Sequence, residues 1–134
     1  MIVQAYLNFE GRCDEALKFY EKAIGARIGM VMRFKDNPSP EHNPPGSENK
    51  VMHSEFTIGD TQLFATDGFG KGSKFEGISL SIATADDKET EKVFKALAES
   101  GEVTMPLGKT FFASSFGMLK DRFGVQWMVI TNKN

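Results

Sequence analysis

The sequence predicts an α+β fold built from two βαβββ modules, whose curved mixed sheets enclose a cleft. Three observations carry this. The order strand, helix, strand, strand, strand occurs twice within 134 residues. Each predicted helix stops at a glycine, Gly25 and then Gly101, and each module's last hairpin turns at one, Gly59 and then Gly124. A repeat of a whole supersecondary unit restricts architecture more than any single element does. Either module alone leaves a sheet face uncovered; two together bury edges and form a concave surface suited to a small ligand.

Val3, Ala5, Leu7 and Phe9 alternate with Gln4, Tyr6 and Asn8, the period-2 signature of a strand with one face in the core. Cys13, Ala16, Leu17, Tyr20 and Ile24 then follow helical spacing, with Phe19 and Ala23 widening the stripe. Gly25 closes that helix, since a residue without Cβ turns left-handed at least cost. Strands are predicted over 26–34, 51–58 and 61–66, the last two joined at Gly59-Asp60. Residues 68–76, with Gly68, Gly70 and Gly72, read as a linker between module one (about 1–67) and module two (about 77–134) of one domain. The second module begins with a strand over 78–83 and a helix over 86–100, with Val93, Phe94, Leu97 and Ala98 on one side. Strands over 102–105, 114–120 and 125–131 complete it, the last pair turning at Phe123-Gly124.

The modules differ chiefly in residues 35–50, an insertion in module one that contains Pro38, Pro40, Pro44 and Pro45. Proline removes the backbone donor that a strand or helix interior needs. The segment is therefore expected to be the most mobile part of the chain, either a lid or dimer-contact arm or a plain solvent-exposed insertion.

The net charge of -2 and the absence of a Lys/Arg cluster argue against nucleic-acid binding, which needs a basic face to neutralise phosphates. No run approaches the ~18 apolar residues of a membrane span, and Met1-Ile2-Val3-Gln4 lacks the basic and apolar regions of a leader. A cytoplasmic protein is expected. Twelve Phe residues are the one conspicuous enrichment, lining an apolar cavity or simply packing the core. The single cysteine, Cys13, excludes an internal disulfide.

Several segments carry a family likeness. Tyr6-Leu7-Asn8-Phe9-Glu10-Gly11 leading into Cys13-Asp14-Glu15-Ala16-Leu17-Lys18-Phe19-Tyr20 resembles the opening of PhnB-like proteins. The likeness continues through His53-Ser54-Glu55-Phe56, Thr66-Asp67, Phe116-Gly117-Met118 and Asp121-Arg122-Phe123-Gly124-Val125-Gln126-Trp127-Met128. These proteins form a branch of the vicinal-oxygen-chelate superfamily, which includes glyoxalases and bleomycin-resistance proteins. The resemblance implies a glyoxalase/bleomycin-resistance fold, a homodimer, and four strand positions that hold a divalent metal in metal-dependent members. Carried over, those positions fall on Gln4, on or beside Phe64, on Gly77 and on Met128, of which only Gln4 has a suitable donor. No metal and no other cofactor is therefore expected. The branch often has a histidine just before the Phe116-Gly117 pair, where this chain has Ser114-Ser115. A methyltransferase label attached to related sequences finds no glycine-rich nucleotide loop on a βαβ unit here.

Candidate site residues follow. Gln4, Tyr6 and Asn8 share the polar face of the first strand, a cavity wall or a solvated face. His53 and Glu55 share one face of the third strand, so an imidazole can lie beside a carboxylate; they are the candidate catalytic pair if the chain is an enzyme. Asp67 can accept hydrogen bonds at the cleft mouth or cap a turn. Phe64, Phe116, Met118 and Met128 form an apolar pocket wall or pack in the core. Ser114 is a ligand contact without an identifiable base. Cys13 sits at a helix start, where the dipole can lower a thiol pKa, or is simply a small buried residue. Two functions remain open: metal-independent binding of a small molecule, or glyoxalase-like lyase or isomerase chemistry with an unconventional or absent metal site.

Overall fold

The structure, a computed structural model, describes residues 1–132; the last two residues of the second predicted module lie outside the described residues. The chain divides into two compact units, with the boundary between Ser73 and Lys74.

The first unit contains β1 (Tyr6–Asn8), α1 (Cys13–Ile24), β2 (Arg27–Arg33), β3 (Val51–Ile58) and β4 (Thr61–Thr66). Its sheet has the order β1-β4-β3-β2, with β1 parallel to β4 and the other pairs antiparallel. Cys13, Ala16, Leu17 and Tyr20 are buried along one stripe of α1, and the Tyr20 ring stacks on Phe56 of β3 at 6.0 Å. Gly25 ends the helix with φ 69°, its N–H donating to the Glu21 carbonyl and that of Ala26 to Tyr20. The helix start has no cap from its own Arg12. Asp67, from beyond β4, supplies it by accepting the Cys13 N–H at 2.8 Å.

The first strand is shorter than its alternating pattern predicts. Tyr6 pairs with Phe64, so residues before Ala5 lie opposite the point where β4 turns into its hairpin with β3. Met1, Ile2 and Val3 are exposed. Segment 35–50 closes on itself. Lys35 N–H donates to Glu48, the Asn37 amide to Asn43, and the Asn43 amide to the Phe34 carbonyl, giving a tied Ω-loop with two short 3₁₀ turns. Residues 68–73, read from sequence as a linker, fold back on the first unit: the Glu10 carboxylate accepts from Gly72 and Ser73 N–H groups.

The second unit contains β5 (Leu80–Thr84), α2 (Asp87–Ala98), β6 (Glu102–Gly108), β7 (Phe116–Lys120) and β8 (Gln126–Thr131), in the sheet order β5-β8-β7-β6. The Asp86 side chain caps α2 by accepting the Glu89 N–H at 2.8 Å. Thr90, Phe94 and Leu97 face the sheet, and hydroxyls of Thr84, Thr90 and Thr131 form a buried chain of bonds at 2.5 and 2.6 Å. Strand β6 runs past its predicted end through Pro106, which an edge strand tolerates because one row of its N–H groups faces no partner.

Gly101 does not end α2 in the manner predicted. The left-handed residue is Ser100, with φ 60°, while a Cβ on Gly101 would run into the Lys120 carbonyl. Nor is the last hairpin organised by Phe123-Gly124 alone. Buried Asp121 accepts from the Phe123 and Val125 N–H groups and from the Trp127 indole at 2.9 Å, fixing the turn around Gly124 at φ 89°. Five of the twelve phenylalanines, Phe9, Phe34, Phe56, Phe94 and Phe116, are buried. Core packing absorbs much of the Phe enrichment.

Candidate functional site

In the first unit, α1 covers the sheet face that carries Leu7, Leu63, Ala65, Ser54 and Phe56, all buried. Strand alternation puts Tyr6, Asn8, Phe64, His53 and Glu55 on the opposite face, joined by Gln4 from just before β1. The register places Tyr6 beside Phe64 and Phe64 beside Glu55. Six sequence-predicted candidates thus share one helix-free face.

Two hydrogen-bonded groups organise it. The Tyr6 hydroxyl and His53 Nδ1 lie 3.2 Å apart, and the Phe64 ring sits 5.2 Å from the imidazole and 6.0 Å from Tyr6. Beside them the Gln4 amide donates to Gln62 Oε1 at 3.0 Å, and the Gln62 amide donates to Glu55 at 3.4 Å. The imidazole's partner is therefore a phenol, and the expected pairing of His53 with Glu55 gives way to Tyr6 with His53 and Gln62 with Glu55. Gln62 was not singled out from sequence, although its place two residues from Phe64 in an alternating strand signals the same face.

Two candidates in this unit have other work. Asp67 is buried and spends one carboxylate oxygen on the Cys13 N–H and the other on the Val51 N–H, both at 2.8 Å. It ties the start of α1 to the start of β3. Asn8 donates to Ser73 Oγ at 2.7 Å and accepts the Glu10 N–H at 2.9 Å, so it anchors the chain after β4. Cys13 is fully buried, and burial pushes its thiol up to about 12, the reverse of an activated nucleophile.

In the second unit, Met118 pairs with Met128 and Met128 with Ser81, on the sheet face away from α2. Phe116 shares that face but is covered by the Phe112 ring at 5.1 Å. Ser114 lies outside β7, and its hydroxyl bonds Asp87 at 2.5 Å.

The superfamily's metal can be tested against these residues. The Gln4 amide is committed to Gln62, Phe64 and Met128 offer no hard donor, and Gly77, at φ 74°, precedes β5 and has no side chain. Among the described residues no three His, Cys, Asp or Glu side chains gather as a metal-binding group. The donor set does not fit a divalent ion.

Two mixed four-stranded sheets, each with one helix and a parallel first-to-last strand pair, are the glyoxalase/bleomycin-resistance fold. The 3-demethylubiquinone-9 3-methyltransferase family model matches residues 2–130, and the chain belongs to that family, the PhnB-like branch of the vicinal-oxygen-chelate superfamily. It is similar to protein PA1353 from Pseudomonas aeruginosa, with 38% identity and a TM-score of 0.88 over 100% of this chain and 99% of that one. A PhnB protein from Bacillus cereus, described as a putative 3-demethylubiquinone-9 3-methyltransferase, is 29% identical with a TM-score of 0.83, covering 98% of this chain and 100% of its own. Protein YjdN of Escherichia coli K12 is 28% identical over 96% of this chain and 94% of its own length.

Proposed function

We propose that the chain binds a small molecule on the helix-free face of its first sheet without the help of a metal. The observation that carries this is the Tyr6-His53 pair at 3.2 Å set against the Phe64 ring. A phenol and an imidazole supply a donor and an acceptor, and three rings supply apolar surface, which suits a planar ligand bearing one polar group. A solvated sheet face has no use for this composition. Tyr6 is 52% exposed, so its ring is accessible from that face.

Fragment screening by NMR tests the reading. At least one small aromatic fragment is expected to shift the amides of residues 53–57 and 62–66 saturably, and Tyr6→Ala or Phe64→Ala should weaken it about tenfold or more. Fragments that bind both variants as well as the parent chain would count against it. A metal-free glyoxalase-like isomerase is the second reading, favoured by His53 and Glu55 standing two residues apart on the same face. It requires proton exchange at the carbon next to a carbonyl that disappears in His53→Gln. Homodimer formation and a cytoplasmic location belong to the same proposal. Sedimentation tests the first and cell fractionation the second.

A further inference from the structure

The second unit holds a cavity lined by its own residues alone. It has a volume of about 500 Å³ and lies between the loop after β6 and the end of β8, lined by Lys109, Phe111, Phe112, Ser114, Ile130 and Asn132. That volume is within the ~300–1,000 Å³ range of small-molecule sites.

The loop is held shut at its base, because the Thr110 N–H donates to the Ala113 carbonyl at 3.0 Å and the Ala113 N–H donates to Thr110 Oγ1 at 3.0 Å. Closing the turn drives two adjacent phenylalanines outward. Phe111 is 100% exposed and Phe112 52%. Their rings meet edge to face at 5.1 Å, and Phe112 meets buried Phe116 at 5.1 Å, so an aromatic ladder runs from the core to solvent. Leaving a Phe ring in water forgoes the stabilisation that burying it would give, and Phe111 is left fully exposed.

Charge selects the ligand. Lys109 has no ion-pair partner among the described residues, and no carboxylate among them lines this cavity. The nearby acids Asp87 and Glu91 line, with Lys109, a neighbouring cavity of about 300 Å³. Asp87 already accepts the Ser114 hydroxyl. A cavity lined by a lysine, two phenylalanines and an asparagine complements an anion on an aromatic body.

We propose that this cavity binds an aromatic carboxylate, its ring against Phe111 and Phe112 and its carboxylate at Lys109. The test is NMR titration of the full chain with 2-naphthoate, with naphthalene-2-carboxamide as the neutral counterpart. The naphthoate should shift the amides of residues 109–114 and 130–132 saturably, and the carboxamide should bind about fivefold or more weakly. Lys109→Gln and Phe111→Ala replace exposed residues, so both should fold and each should weaken naphthoate by a similar factor. Equal binding of acid and amide, indifference to Lys109→Gln, or no shift in these segments would each overturn the proposal. Shifts confined to residues 53–66 would also overturn it, because they report on the Tyr6 face instead.

Discussion

Asp67 shows how one buried side chain organises a unit. Its two oxygens take the Cys13 and Val51 N–H groups, which begin a helix and a strand and would otherwise lack partners. Asp67→Ala should cost about 2–4 kcal/mol in urea unfolding, because it orphans two buried donors at once. Asp67→Asn keeps one acceptor oxygen and should cost less; equal losses would assign the effect to charge instead. The neighbouring Cys13 thiol, pushed up to about 12 by burial, has its folded value above its unfolded one. Its contribution to stability is therefore complete below the unfolded pKa of about 8.5 and is lost as pH rises from there towards the folded value. Between these limits the unfolding free energy should fall by at most about 1.4 kcal/mol per pH unit, and Cys13→Ala should remove that slope. Ellman's reagent at pH 8 should label Cys13 only once the chain is unfolded.

At the scale of elements, period was legible and contacts between elements were not. β3 and β4 fall on the predicted residues because alternation is bounded by the Gly59-Asp60 turn. The face shared by Tyr6, Phe64, His53 and Glu55 follows from the same alternation. Asp67 and Asn8 each meet a partner distant in sequence, and no local pattern encodes that. Gly101 failed for the same reason: it looked like a helix terminator, yet its lack of Cβ serves the approach of the Lys120 carbonyl. Ser100 takes the left-handed turn instead. Ser100→Gly should therefore stabilise the chain by about 0.5–1 kcal/mol, relieving αL crowding at a site that already has φ 60°. Gly117 is a second close approach, where a Cβ would stand 2.7 Å from the Phe94 ring and 2.9 Å from Leu107. Gly117→Ala should lower stability by about 1–3 kcal/mol as α2 is pushed off β7.

Across the whole molecule the unsolved problem is the sheet edges. β2 and β6 end their sheets, and Met30, Val103 and Met105 on them are each 45% exposed. Met1, Ile2 and Val3 add apolar surface ahead of β1, itself an edge. Edge strands of monomers are usually blunted by charge, proline or a covering element, and an apolar edge left bare invites pairing. β6 has Pro106 and Glu102 as partial protection, whereas the N-terminal residues have none. A homodimer that buries apolar edge surface resolves this, and a two-fold interface does so without leaving a new edge to propagate. Sedimentation equilibrium at micromolar concentration should give twice the 14.9 kDa chain mass. A Val3→Lys, Val103→Lys double variant should shift it towards the single mass, because charge on either edge opposes association. A parent chain already at the single mass would show that the edges are tolerated as they stand. Chelator should leave both the mass and the melting temperature unchanged, since Phe64, Gly77 and Met128 offer no hard donor to a divalent ion and the Gln4 amide is committed to Gln62.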